Sequence, residues 1–153
     1  MRKRIIDLDQ QSDHHWLNVE EFVKVEVTSE ASDHPIESAL LPAGTTGWRA
    51  AEPGKQIIRL LFAHPQPLRR IWLKFIGPDI ERTQEYVLRY ATDGDPVLRE
   101  LVRQQWNFSP IGTTCEVEDH HVELSDVTVL ELIINPDISG GQSIASLAQF
   151  RLA

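Results

Sequence analysis

Hydrophobic and polar side chains alternate with a period of two residues along most of this chain. In one clear example, Val23, Val25 and Val27 alternate with Lys24 and Glu26. This pattern is typical of a β-strand with one face in the core and the other in water, whereas an amphipathic helix repeats every 3.6 residues or so, roughly one turn. The sequence therefore predicts a mostly β protein.

Short segments of strand-like sequence recur along the chain and are separated by turn signals. Pro65 and Pro67 should separate the first two segments, because proline cannot donate a backbone hydrogen bond to a neighbouring strand. Asp93-Gly94 is the strongest turn signal in the chain. The segments are QIIRLLFA (56–63), RRIWLKFI (69–76), TQEYVLRYA (83–91), VLRELVRQQWNF (97–108), TCEVEDHHVEL (114–124), VTVLELII (127–134) and IASLAQFRL (144–152).

One of these segments also fits a short helix. Leu98, Leu101 and Val102 would share one helical face, so the helical alternative stays open there. The whole series gives about eight strands, with turn signals spaced by roughly 8–15 residues. Such a series predicts an all-β fold, either an antiparallel sandwich or a barrel, with at most one short helix.

The longest stretch without a clear period runs from residue 30 to residue 55. Structureless loops of more than roughly 15 residues are usually functional or disordered. This loop carries Ile36, Leu40, Leu41 and Trp48, which can pack against a core. We therefore expect an ordered loop.

The excess of acidic over basic residues limits the kinds of partner that the protein is expected to bind. The chain has 153 residues, with 15 basic residues against 23 acidic residues and a net charge of −8. A nucleic-acid partner is not expected, because nucleic-acid binding depends on neutralising phosphates. The single cysteine, Cys115, excludes an intramolecular disulfide and fits a reducing compartment. No apolar run suits a signal peptide or a membrane span, so we expect a cytoplasmic protein without a membrane partner.

The order of several motifs resembles a known family. A valine strand leads into TSEASDHP at 28–35, the long loop ends in GWRA at 47–50, and the chain closes with ASLAQFRLA at 145–153. This order resembles the galactose-binding-domain-like fold of discoidin, coagulation-factor C-type domains and similar carbohydrate-binding modules. The resemblance implies one antiparallel β-sandwich of jelly-roll type over residues 19–153, after an N-terminal extension over residues 1–18.

Two motifs depart from the family pattern. The residue three positions after Gly94 is not the usual Trp, and the segment at 127–134 lacks the Arg-Tyr pair often found there. The resemblance implies a non-catalytic module that binds carbohydrate or another small polar ligand. The alternative is a protein-interaction or assembly domain on the same scaffold, with a protein partner or a second copy of the chain.

The resemblance also bears on the closing segment. In such folds the last strand lies beside the first strand in one sheet. Ile144, Leu147 and Phe150 depart from a strict period of two, and a bulge near Ser146 would bring Leu147 and the later residues onto one face. The last segment of the chain is therefore expected to form the strand that completes the sandwich.

The order of strands predicts where a ligand would bind. If each connection after Ile57 reverses the chain, the loops at 30–55, 77–83, 109–113 and 135–143 meet at one end of the sandwich. Loops held by a rigid scaffold commonly carry binding residues. The candidate ligand-binding residues at this end are His34, Trp48, Arg49, Asp79 and Arg82.

Three of these candidates have a second interpretation. The Trp48 indole could stack on a sugar ring, or it could pack at the base of the loop. Arg49 and Arg82 could bind ligand hydroxyls through charge-assisted hydrogen bonds, or they could pair with nearby carboxylates. Asn135 and Asp137 lie in the same group of loops and could simply form a turn around Pro136.

The histidines do not predict a metal site. Asp-His-His occurs at 13–15 and again at 119–121, but adjacent residues on a strand point to opposite faces. Many discoidin-like domains hold a calcium ion with a carboxylate from the closing strand, and the matching residue here is the uncharged Gln149. We therefore expect no metal and no other cofactor.

Catalysis finds little support in the sequence. Cys115 lies five and six positions before His120 and His121, which is too far along one strand for direct contact. Gly-rich phosphate loops and nucleophile-elbow motifs are absent from the sequence. The chain is therefore not expected to be an enzyme.

Overall fold

A computed structural model describes residues 1–3, 16–77 and 80–153 of this chain. These residues form eight strands and one short helix, in agreement with the all-β prediction. The elements are β1 (Val23–Val27), α1 (Glu37–Leu40), β2 (Trp48–Arg49), β3 (Gln56–Ile76), β4 (Arg82–Thr92), β5 (Asp95–Phe108), β6 (Cys115–Asn135), β7 (Ser146–Leu147) and β8 (Gln149–Leu152).

The segment with a helical alternative forms strand β5. It pairs antiparallel with β4 across the turn at Asp93-Gly94, where Gly94 has a φ of 81°. Leu88 and Val102 lie opposite each other in this ladder. Pairing with β4 supplies backbone hydrogen bonds along nearly the whole segment, so the helical alternative is wrong.

Strands β3 and β6 form a long antiparallel ribbon that bends in its middle. The predicted break at Pro65 and Pro67 is wrong, because β3 continues through both prolines. The missing proline N–H groups are accommodated by irregular pairing, with register shifts between Leu61 and Arg70. On β6, Asp126 adopts a φ of 54° at the same level of the ribbon. The chain thus changes direction by bending within a strand.

The bend folds the ribbon over itself to give the two layers of a sandwich. Phe75 from the second half of β3 stacks on Tyr86 of β4, with ring centroids 5.3 Å apart. Between the same layers, the Gln84 side chain donates to Glu116 at 3.5 Å. The first layer contains β1, the first half of β3, the second half of β6, β4 and β5, and the second layer contains the other halves with β8.

One hydrophobic core fills the space between the layers. Its largest fully buried side chains include Tyr86, Phe75, Phe108 and Phe150. The long loop contributes Trp48 and the apolar side of α1 to the same core, so the loop is ordered as predicted. The loop is therefore held rigidly at one end of the sandwich.

The closing segment is divided at Ala148. Leu147 on β7, and Phe150 and Leu152 on β8, are all buried. The bulge that was expected near Ser146 is replaced by a break between the two strands at Ala148, whose N–H donates to the Lys74 carbonyl at 2.8 Å. Strand β8 pairs with the second half of β3, and the expected pairing of the last strand with the first strand is wrong. The bent β3 separates the two, because β1 pairs with its other half.

The described part of the N-terminal extension contacts the sandwich. The Leu17 N–H donates to the Leu152 carbonyl at 2.7 Å, and Trp16 packs against Trp72 at a ring distance of 6.4 Å. The rest of the predicted extension, residues 4–15, lies outside the described residues. Among the residues that are described, none of the helical structure is long and apolar enough to span a membrane.

Candidate ligand-binding site

A pocket of about 260 Å³ lies at the loop end of the sandwich. It brings together His34, Trp48, Arg49 and Arg82, which are four of the five predicted residues. The fifth, Asp79, lies outside the described residues. Among the described residues, the lining consists of His34, Thr46, Trp48, Arg49, Ile76, Arg82, Ile144, Ser146, Leu147 and Ala148.

A small two-stranded sheet forms one wall of the pocket. Strands β2 and β7 pair antiparallel, with Trp48 opposite Leu147 and Arg49 opposite Ser146. Gly47 begins this wall with a φ of 70°, and a Cβ there would lie 2.8 Å from the Leu147 carbonyl oxygen. Glycine at this position therefore allows the long loop to approach the closing segment closely.

The Trp48 side chain forms the base of the pocket. Its residue exposure is only 1%, and its indole N–H donates to the Ser29 carbonyl at 3.1 Å. A buried ring cannot offer its face to a sugar, so the predicted stacking role of Trp48 is wrong. The alternative interpretation, a packed residue at the base of the loop, is the one observed.

Arg82 begins strand β4 and packs on an aromatic ring. Its guanidinium carbon lies 4.7 Å from the centroid of Phe108. Phe108 also packs on Gly77, where an added Cβ would come within 2.6 Å of the ring. Burial lowers the pKa of Arg82, and the attraction of Asp137 only partly opposes this effect. Within the described part of the chain, the buried Nη1 atom of Arg82 has no hydrogen-bond partner.

Arg49 and His34 lie beside each other on the rim of the pocket. The backbone N–H of Arg49 donates to the His34 carbonyl at 3.2 Å. The Arg49 side chain is exposed, while the His34 Nδ1 atom lies 3.1 Å from the Thr46 carbonyl oxygen. His34 Nε2 is 3.9 Å from a carboxylate oxygen of Asp33. The Arg49 guanidinium is therefore the more accessible of the two groups.

Asn135 and Asp137 do not line this pocket. Asp137 accepts hydrogen bonds from the backbone N–H and the hydroxyl of Ser139, at 3.0 and 2.7 Å, and these bonds lower its pKa. Both residues border a separate depression of about 190 Å³. The contacts therefore support the turn-forming interpretation for Asp137, whereas Asn135 ends strand β6 and pairs with Glu85.

Sequence reasoning missed several groups that line the pocket. Thr46, Ile76 and Ser146 contribute one hydroxyl, one half-exposed apolar side chain and a second hydroxyl. The Ser146 hydroxyl donates to the Ile76 carbonyl at 3.3 Å, which joins β7 to the end of β3. No local motif marks these residues, since only the long-range pairing of β2 with β7 brings them to Arg49.

The second Asp-His-His sequence is divided between the two faces of β6. His120 points inward, with Nε2 2.6 Å from the Tyr86 hydroxyl, while Asp119 forms a bidentate pair with Arg70 on the other face. His121 Nε2 is 3.5 Å from Asp119. Among the described residues, no three His, Cys, Asp or Glu side chains are grouped as a metal site would require. The first such sequence, at 13–15, lies outside those residues.

Comparison with solved structures finds carbohydrate-binding modules of family 32. The module from C. perfringens NanJ, in complex with galactose, is 14% identical over 85% of this chain and 92% of that chain, with a TM-score of 0.63. The module of AlyQ, in complex with 4,5-unsaturated mannuronic acid, is 14% identical over 87% and 95% of the two chains, also with a TM-score of 0.63. A third module, CBM32-3 from a family 31 glycoside hydrolase of Clostridium perfringens, is 14% identical over 93% and 96%, with a TM-score of 0.66.

No protein-family model matches the sequence, and no curated protein matches it. At 14% identity, the likeness to solved structures concerns the fold. It confirms the resemblance that the order of motifs predicted. The chain therefore has the galactose-binding-domain-like β-sandwich fold of the family 32 carbohydrate-binding modules.

Proposed function

We propose that this chain is a non-catalytic carbohydrate-binding module whose ligand occupies the pocket at the loop end. The observation that carries the proposal is the lining itself: two arginines, a histidine and two hydroxyl side chains converge on one cavity with an apolar base. Binding sites for small polar ligands typically combine such a base with a few directional polar groups. Solved modules with the same fold in complex with galactose and with an unsaturated mannuronic acid support it further.

The pocket provides hydrogen bonds for a sugar more readily than stacking. Arg49 and Arg82 donate from planar guanidinium groups, and the hydroxyls of Thr46 and Ser146 can both donate and accept. The volume of about 260 Å³ suits one sugar ring, since sites for larger ligands span roughly 300–1,000 Å³. Because stacking is lacking, we expect a dissociation constant of about 0.1–1 mM, or roughly 4–5.5 kcal/mol.

Titration by NMR with a panel of hexoses and hexose derivatives tests the proposal. A binding sugar should shift the signals of Thr46 and Ser146. Arg49→Gln and Arg82→Gln should each weaken binding by about tenfold, the effect of one lost charge-assisted hydrogen bond. Arg99→Gln is the matched control, because Arg99 is an exposed arginine on β5 whose partner is Asp95, next to the turn at the opposite end.

Two results would contradict the proposal. A larger depression of about 940 Å³ lies near the bend of the ribbon and includes Pro67, Arg69 and Ser125. Its described lining has no Phe, Tyr or Trp side chain, and shifts confined to it would mean that the ligand binds at the other end of the sandwich. If no saccharide binds at millimolar concentration, a protein-interaction or assembly domain becomes the better hypothesis.

A further inference from the structure

The pocket is positively charged although the protein is acidic. The chain carries a net charge of −8, yet the two charged side chains in the described lining are Arg49 and Arg82. No carboxylate is among those lining residues. Two carboxylates interact with lining residues without lining the pocket: Asp33 is 81% exposed beside His34, and Asp137 attracts Arg82 without a hydrogen bond.

These two arginines differ from five arginines on the sheet faces. The arginines with carboxylate partners are Arg59, Arg70, Arg89, Arg99 and Arg103. In the described part of the chain, neither Arg49 nor Arg82 forms an ion pair with a side chain. An unpaired guanidinium that has lost part of its hydration gains more from an anion than from a neutral hydroxyl.

The position of Arg82 is fixed before any ligand arrives. Its guanidinium rests on the Phe108 ring, and Phe108 in turn fills the space left by the missing side chain of Gly77. A preorganised guanidinium loses little rotamer freedom when it binds, and its planar donors match the two oxygens of a carboxylate. The geometry therefore favours a planar anion attached to a group of sugar size.

From this charge and geometry we infer that the pocket selects saccharides that carry a carboxylate, such as hexuronic acids, over neutral hexoses. The inference rests on the proposed carbohydrate-binding function. Arg82 binds the carboxylate, and Arg49 contacts it from the exposed rim. The hydroxyls of Thr46 and Ser146 bind the ring hydroxyls.

The test compares matched ligands that differ at one carbon. Galacturonate, glucuronate and mannuronate are each titrated beside the corresponding neutral hexose and the methyl ester of the uronic acid. For at least one sugar, we expect the acid to bind about tenfold or more tightly than its ester and hexose, as a charge-assisted contact predicts. Arg82→Gln should abolish this preference, because the acid should lose about tenfold more affinity than the neutral sugar, whereas Arg99→Gln should preserve the preference.

The outcomes separate the two claims. If acid, ester and hexose bind equally at the pocket, the preference for carboxylates is wrong and the carbohydrate-binding function stands. If the preference survives in Arg82→Gln, the assignment of the carboxylate to Arg82 is wrong. If none of the nine ligands binds the parent protein at millimolar concentration, both the inference and the proposed function fail for these sugars.

Discussion

Arginines are used in opposite ways on the outer face of the first layer and at the loop end. On the outer face, Glu131 is fully buried because Arg59 and Arg89 flank it, with nitrogen–oxygen distances of 2.8 and 2.7 Å. At the loop end, Arg82 packs on Phe108 and has no carboxylate partner among the described residues. A paired arginine stabilises the fold, whereas an unpaired arginine keeps its charge available for a ligand.

The outer face carries a row of charges that alternate in sign across all five strands of the layer. Neighbours in this row lie directly opposite each other in the strand register. We name it the outer charge row, and its members are Glu26, Arg59, Glu131, Arg89 and Glu100. Each cation in the row lies between two anions, so cross-strand pairing contributes to the order of the strands.

Removal of the Glu131 carboxylate, at the centre of the outer charge row, should cause the largest change in stability. Glu131→Gln leaves Arg59 and Arg89 facing a neutral amide. The loss of one partner of a buried pair costs about 3–5 kcal/mol, and we expect about 2–4 kcal/mol here because both arginines are over a third exposed. Chemical denaturation measures this loss, and sugar binding by the folded protein should not change.

Glu26→Gln is the control for that substitution. It removes a carboxylate from the same row, but the Glu26 side chain is 48% exposed. An exposed ion pair contributes less than about 1 kcal/mol. Equal destabilisation by the two substitutions would mean that burial of Glu131 between the arginines has no special role.

A buried carboxyl without an arginine should instead make stability depend on pH. Glu116 is fully buried between the layers, and burial together with Glu118 raises its pKa from 4.5 to about 8. The folded protein therefore holds a proton that the unfolded chain releases, so stability should fall as pH rises from about 4.5 to 8. The contribution is lost above that window.

Glu116→Gln should remove this slope, which cannot exceed about 1.4 kcal/mol per pH unit. Burial lowers the pKa of His120, so its contribution to stability is lost as pH falls. Subtracting the stability curve of Glu116→Gln from that of the parent protein removes this contribution and leaves that of Glu116. Gln84 and Tyr86 face the same space and stay in both proteins. Parallel curves for the parent and the variant between pH 5 and pH 8 would show that Glu116 does not titrate in this window.

Substitution of Arg82 should cause the smallest change in stability. The change should be a gain, whereas substitution of Glu131 should cause a loss. Arg82→Gln removes an unpaired, partly buried charge, so we expect stability to rise by a few tenths to about 1 kcal/mol. Arg89→Gln is the comparison, because it takes an arginine from Glu131 and should lower stability. Thermal unfolding of both variants measures the difference. Destabilisation by Arg82→Gln would indicate a structural role for its charge.

The sequence predicted best the strands whose burial is one-sided. Alternation located β1 and the two halves of β3, whereas β4 buries Tyr86, Val87 and Leu88 in succession. The count of chain reversals correctly brought together the segments that carry His34, Arg49 and Arg82. The reversal at Pro65 and Pro67 was expected as a break, but the bend occurs inside β3. Local signals mark a change of direction without distinguishing a loop from a bulged strand.

The chemistry of the pocket was harder to predict than its location. Burial of Trp48 follows from the packing of the long loop against the core, and this packing leaves no local signal. The unpaired state of Arg82 likewise depends on Phe108 and Gly77, which belong to different strands and loops. Whether an arginine is paired is a property of the tertiary structure, so composition and spacing could not reveal it.

The bent ribbon has a consequence for how this chain folds. The same two strands, β3 and β6, contribute to both layers, with Gln56 opposite Ile134 at one end and Ile76 opposite Cys115 at the other. Neither layer can form without contacts between residues far apart in sequence, and such high contact order slows folding. The two layers should therefore unfold in one transition, because loss of β6 from one layer removes it from the other.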